Sequence, residues 1–154
     1  MDVIDAMLDD APGAAVRQQR PDFVRYSQGS YNVLIVPQNP GGLSLTERAT
    51  AAWRIATLNG DAGLTAHYHA LVPTATMVIL SEGTALPPRL ATILAHVERV
   101  ATAPGTAAPE HLRALEAVGL SARDIVALSQ LIAFVSYQVR VLAGMRLLIG
   151  EHAA

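Results

Sequence analysis

The segment Leu43 to His69, reading LSLTERATAAWRIATLNGDAGLTAHYH, constrains the fold more than any other part of this chain. Ser44 followed three residues later by Glu47 is a capping box. The serine accepts from the Glu47 amide while the Glu47 carboxylate reaches back to the Ser44 amide. The helix that starts there runs through Trp53 and Leu58 to Asn59-Gly60, a stop signal because glycine readily takes the left-handed conformation of a helix C-terminus. A second helix is expected from Asp61 to about Leu71, where Pro73 limits its extension. A start, a stop and a restart in so short a stretch predict two helices packed as a hairpin.

The rest of the chain is punctuated in the same way. Asp2 to Leu8 is a short helical segment ended by the breaker Asp9-Asp10-Ala11-Pro12-Gly13, and Ala14 to Arg20 is a further turn or two. From Pro21 to Val36, residues Phe23, Tyr26, Tyr31, Leu34 and Ile35 follow helical spacing, with Pro21 suited to a first turn. Asn32 to Val36 alone also suits a strand, but no second convincing strand exists to pair with it. The loop Pro37 to Gly42, PQNPGG, separates this N-terminal segment from the core. Met77 to Leu80 is apolar and too short to classify. Pro87 and Pro88 begin a helix through Val100, Ala103 to Thr106 is a linker, and Pro109 to Val118 is a short helix ended by Gly119.

Ser121 caps the last helix, with Asp124 as a shorter-armed capping acid. That helix reaches about Ile149, roughly 40 Å at 1.5 Å per residue. Apolar residues cover nearly its whole circumference, as in a central helix buried on several sides. Gln130, Gln138, Arg140 and Arg146 interrupt it at intervals a bilayer would penalise, so it reads as a buried helix and not a membrane span. The expected fold class is all-α. It divides into an N-terminal helical extension and loop, residues 1–42, and a helical domain, residues 43–150, in one structural unit.

Composition narrows the chemistry. Half the residues are apolar (51%) but only 5% are aromatic and 16% charged, so the core is built of Ala, Leu, Val and Ile and suits closely packed helices. So much apolar character with so little charge predicts a homo-oligomer, since monomers rarely expose large apolar patches. A net charge of −2 with scattered basic residues offers no footprint for nucleic acid. The chain has no lysine, which removes Schiff-base and P-loop lysine chemistry. It has no cysteine either, which removes disulfides, thiolate catalysis, iron–sulfur ligation and cysteine zinc sites. The acidic opening Met1-Asp2-Val3-Ile4-Asp5 is unlike a secretory signal, and a cytoplasmic location is expected.

The framework of Leu43 to His69 resembles the carboxymuconolactone decarboxylase and alkylhydroperoxidase D-like (AhpD-like) family, in which a Leu-Ser-x-x-Glu-Arg helix start leads to Leu-Asn-Gly-Cys. The block GLSARDIVALSQLIAFVSYQVRVLAG is similar to the family's C-terminal helix, with its Gly-Leu-x-x-x-Asp-Ile start and a late Arg. Together the blocks extend the resemblance over most of Arg20 to Ile149. The resemblance implies a helical hairpin core, a long buried C-terminal helix, and a bacterial thiol peroxidase or a lactone decarboxylase. In the peroxidase register the family's Glu falls on Ala49, its two Cys on Asp61 and Leu64, and its His on Tyr68. All four positions of this family site have changed, so thiol peroxidase activity is not expected. An intact relative of the same family is a second expected partner.

Around the vacated site the candidate pocket residues are Glu47, Asp61, Thr65, His67, Tyr68 and His69. Asp61, Leu64, Thr65 and Tyr68 share a helix face, which would let Asp61 and Tyr68 point into one pocket. Each also has a structural reading, Glu47 and Asp61 as helix caps and Tyr68 as core. His67 and His69 fall on different faces, which argues against a shared metal; their only third partners would be His96 or a carboxylate. No metal and no cofactor is expected. Arg140, inside the apolar helix, needs a carboxylate or carbonyls, with Glu47, Asp61 and Glu98 as partners. A cysteine-independent decarboxylase-like enzyme, or a binder of small carboxylates, would draw its acid and base from His67, Tyr68 and His69.

Overall fold

Side-chain caps at Asp2, Ser44, Asp61 and Ser121 set where four of the helices begin, and the computed structural model describes the result for residues 2–8, 12–83, 85–148 and 150. Of the breaker expected at Asp9 to Gly13, Asp9 to Ala11 lie outside these residues, as does the helix end at Ile149, whereas Pro12 and Gly13 open a helix instead of breaking one, proline being suited to a first turn. Nine helices are described: α1 (Val3–Met7), α2 (Pro12–Gln18), α3 (Pro21–Leu34), α4 (Leu45–Leu58), α5 (Ala62–His69), α6 (Thr74–Ser81), α7 (Pro88–Thr102), α8 (Pro109–Ala117) and α9 (Ala122–Leu148). A single 3₁₀ turn, Pro104–Thr106, falls in the expected linker, and no strand occurs among the described residues. The fold class is all-α. The segment at Asn32 to Val36 ends a helix, and Met77 to Leu80 lie within α6.

Ser44 and Glu47 form the capping box of α4, with Glu47 accepting from the Ser44 amide at 2.8 Å and Ser44 Oγ accepting from the Glu47 amide at 3.2 Å. Gly60, at φ +72°, turns the chain out of α4. Asp61 then caps α5, accepting from the Leu64 amide at 2.9 Å. Ser121 and Asp124 repeat the capping box at α9, Asp124 accepting from the Ser121 amide at 3.0 Å. A side-chain acceptor at such a position typically contributes about 1 kcal/mol.

Helix α4 is the centre, with α5, α7 and α9 packed around it. Its buried Ala51, Ala52 and Ala56 let these neighbours approach closely. Ile55, Leu64, Ile93, Val97, Leu128, Leu131 and Leu142 fill the space between them. The N-terminal segment is not set apart by the Pro37 to Gly42 loop as expected: Ile4, Leu8, Tyr31 and Ile35 belong to the same core cluster. Arg17 fastens α1 to α2 by donating to both carboxylate oxygens of buried Asp2, each at 2.8 Å, and to Asp5.

Helix α9 departs from the expectation in a second way. By length and composition it could cross a membrane. It is buried on one side, along Leu128, Leu131, Val135, Gln138 and Leu142, while Val126, Tyr137, Leu147 and Leu148 are exposed. An apolar circumference therefore does not mean burial all round here. Arg140 is exposed and has no ion pair among the described residues, contrary to the partner expected for it. The α9 arginine that reaches a carboxylate is Arg146, 2.7 Å from Asp61.

Candidate functional site

The four positions expected from the resemblance, Ala49, Asp61, Leu64 and Tyr68, lie on or at the start of the packed helices α4 and α5, and all four side chains are buried. Ala49 is buried in α4, Leu64 and Tyr68 are 0% exposed in α5, and Asp61 is buried at the start of α5. Asp61 and Tyr68 do not share a pocket. Asp61 is committed to the Leu64 amide and to Arg146. Tyr68 donates its hydroxyl to Gln138 Oε1 at 2.5 Å, and Gln138 lies more than two turns before Arg146 on α9. The sequence expectation of a common pocket fails because both side chains are already bound to different points of the same neighbouring helix.

Beside Tyr68 lies a small aromatic cluster. The Tyr31 hydroxyl of α3 is 3.0 Å from His67 Nε2, a hydrogen bond whose direction depends on the imidazole tautomer. The Tyr31 ring stacks on Tyr68 with centroids 6.4 Å apart, and His67 meets Tyr68 edge-on at 5.1 Å. Burial lowers the His67 pKa and raises that of Tyr31, which keeps both neutral at neutral pH. Burial also pushes the Tyr68 phenol up, Tyr31 adds to the effect, and the Gln138 hydrogen bond only partly opposes it. A neutral imidazole bonded to a phenol can pass a proton, but a buried Tyr68 tied to Gln138 offers no open position for a substrate.

The other candidates are spread around this cluster. Thr65 is half-buried, His69 is exposed and His67 half-buried, so the two histidines point apart as their spacing requires. No group of three metal-binding side chains occurs among the described residues, and His96 sits on α7 with its Nδ1 unpartnered. Glu47 is a structural residue, as its capping position suggested. Burial disfavours its ionised form, yet hydrogen bonds from Arg89 and Ser44 outweigh that and hold its carboxyl below the usual value. Arg89 donates to Glu47 at 2.6 Å and to the carbonyls of Val118 and Gly42, joining α7, the turn before α9 and the Pro37 to Gly42 loop.

Sequence reasoning missed four of the residues that organise this region: Tyr31, Gln138, Arg146 and Arg48. Gln138 carried a signal, an amide within the apolar run of α9, which when buried calls for a polar partner. Arg48 also carried one, as a charge in the first turn of the helix that Ser44 begins. Its guanidinium donates to three backbone carbonyls, Leu43 at 2.9 Å, Leu34 at 2.8 Å and Pro40 at 2.9 Å, and so pins the Pro37 to Gly42 loop against α3. Comparison with protein-family models and with curated proteins finds no match to this chain.

Proposed function

We propose that this chain is an AhpD-like helical domain without thiol chemistry that works in the cytoplasm as an assembly module, its partner being a second copy of itself. The observation that carries this reading is the contrast between a family site packed with Leu64 and Tyr68 and an exposed aromatic face elsewhere. On α3, Phe23 is 58% and Tyr26 is 64% exposed. Phe23 borders a groove of about 380 Å³ formed with Val16, Arg17, Arg20, Tyr137 and Val141. A protruding ring one turn from a groove large enough to take such a ring is self-complementary, the requirement for a two-fold dimer. Phe23, Tyr26 and Tyr137 together offer roughly 300 Å² on the usual area of an aromatic side chain. Interfaces of standard size bury about 800 Å² per partner, so these rings would form the apolar centre of a patch with a polar rim. Arg20 and Arg25, which lie over Phe23 and Tyr26 at 5.9 and 4.7 Å, would line that rim.

Light scattering tests the reading. The chain is expected to have at least twice its 16.3 kDa monomer mass at micromolar concentration. Tyr26→Glu should shift it to monomer with little loss of melting temperature. A monomeric parent chain at tens of micromolar, by the concentration range of ordinary dimers, would overturn it.

The second reading, a cysteine-independent decarboxylase-like enzyme or a small-carboxylate binder at the family position, has the Tyr31–His67 hydrogen bond in its favour. It needs Tyr68 to leave Gln138. An intact relative as partner is the remaining form of the assembly reading, and mixed subunits in co-expression would distinguish it from self-association.

A further inference from the structure

A groove of about 480 Å³ opens between α3, the Pro37 to Gly42 loop and the start of α9, away from the aromatic cluster at Tyr68. Its volume is in the range of small-molecule sites. Arg48 lines it at 4% exposure. Its guanidinium has five N–H donors, three of which go to the Leu43, Leu34 and Pro40 carbonyls. Carbonyls satisfy hydrogen bonds but leave the positive charge unneutralised, and no carboxylate lies within ion-pair distance of Arg48 among the described residues. Burying a cation in this way is costly unless it is paired. Burial draws the Arg48 pKa below the usual guanidinium value, a shift that Asp124 and Glu47 only partly offset.

The rest of the groove fits the same charge. Arg123 is exposed at its mouth, with Asn39 and Gln130 as further polar groups and Val33 and Val126 as apolar walls. Asp124 is the one acid in the lining, and it is already occupied. One of its oxygens accepts from the Gly42 amide at 3.0 Å and the other from the amide and hydroxyl of Ser121. Counting Arg48 and Arg123 against Asp124, the groove carries one net positive charge. The close approach of the loop to Asp124 is fixed by Gly42, where any Cβ would collide with the carboxylate.

We propose that this groove binds a small monocarboxylate with an aliphatic tail, its carboxylate on Arg48 and Arg123 and its tail between Val33 and Val126. A carboxylate supplies the two acceptors that guanidinium groups match best. An aliphatic tail suits walls of branched apolar side chains, which offer no hydrogen bonds. The site is separate from the face proposed for the second copy, whose aromatic residues lie toward the other end of α3.

Octanoate is a suitable probe, with octanol as the neutral control and inorganic phosphate as the control without a tail. Titration calorimetry and amide shifts on the full chain should show octanoate binding, shifts centred on Asn39 to Gly42 and Ala122 to Ala127, and octanol weaker by about tenfold or more, the size of a charge-assisted pair. Ala127→Phe should block the groove from the α9 side and abolish binding. Arg123→Gln should weaken octanoate several-fold and leave octanol unchanged. Arg48→Lys tests the buried head group directly, but it risks the loop; the other two variants keep the test intact if it fails to fold. Equal affinity for octanoate and octanol would overturn the proposal, as would no binding at all. Binding that survives Ala127→Phe would place the ligand elsewhere and overturn it too, and phosphate binding as well as octanoate would remove the role of the tail.

Discussion

The α4–α5 hairpin and the α3–α9 seam face opposite problems. In the hairpin, small residues on α4 pack against the buried Leu64 and Tyr68 of α5, Asp61 is bound to Arg146, and Tyr68 is bound to Gln138, whose Nε2 is buried without a partner. In the seam, the walls stay apart, aromatic rings stand in solvent and a buried arginine has carbonyls instead of a counter-ion. The family-like motif lies in the first region and the physical conditions for binding lie in the second. A motif's position identifies a site only while the space beside it remains open.

The most demanding test of this contrast is Tyr68→Ala. A fully buried aromatic in a close-packed core should cost about 3–5 kcal/mol when truncated, with the Gln138 carbonyl left without its donor. That is a large share of the roughly 5–15 kcal/mol that holds a domain of this size. Denaturant unfolding reads it. A loss below about 1 kcal/mol would mean that the hairpin can open a cavity there without penalty, and the decarboxylase-like reading would regain its pocket.

Acid should separate the two regions next. Asp124 lies below its ordinary value of 3.8, chiefly through its Ser121 hydrogen bonds, which outweigh burial, and Glu47 lies below 4.5 through Arg89 and Ser44. Groups with lowered folded pKa values contribute stability that is present above the unfolded value and disappears as pH falls through the folded one. Both carboxylates anchor the Pro37 to Gly42 loop, Asp124 through the Gly42 amide and Glu47 through Arg89. Below about pH 4 the seam should therefore loosen before the hairpin. Hydrogen exchange at the Gly42 amide should rise at a higher pH than exchange at the Asn59 amide, which closes α4 on the Ile55 carbonyl at 3.1 Å and has no carboxylate acceptor. Simultaneous loss at both amides would show that the regions unfold as one unit.

The same division marks what the sequence made legible. The capping boxes at Ser44 and Ser121, the Asn59-Gly60 stop and the helix starts at Pro21, Pro88 and Pro109 were readable because each is completed within a few residues of chain, whereas Pro12 and Pro73 read as breaks although helices begin at them. The hairpin followed from them. Partners across the fold were not readable: nothing near Tyr68 in sequence points to Gln138 or Tyr31, and nothing near Arg48 shows that three carbonyls will surround it. Glu47 was readable as a cap but not as the acceptor of Arg89. Helix α9 was the hardest element, because apolar residues on every side give it no preferred face, and only the packing of α3, α4 and α7 decides which side is buried.

That ambiguity leads to the smallest effect expected. Arg140 and Arg146 are six residues apart, roughly 240° around a helix of 3.6 residues per turn. They point to different sides of α9, so assigning the buried partner to one excludes the other. Arg140 was the arginine expected to need a carboxylate, yet it is exposed and has no ion pair among the described residues, and Arg146 holds Asp61 at 2.7 Å. Arg140→Gln should change unfolding free energy by no more than about 0.5 kcal/mol, as for a surface side chain without partners. Arg146→Gln should cost more, on the order of 1 kcal/mol, because it leaves buried Asp61 with only its capping bond while the partly exposed arginine limits the value of the pair. If Arg140→Gln were the costlier change in a monomeric form such as Tyr26→Glu, the buried side of α9 would be misassigned. If it were costlier only in the assembled parent chain, Arg140 would belong to the interface, and the dimer face would extend along α9 beyond Tyr137.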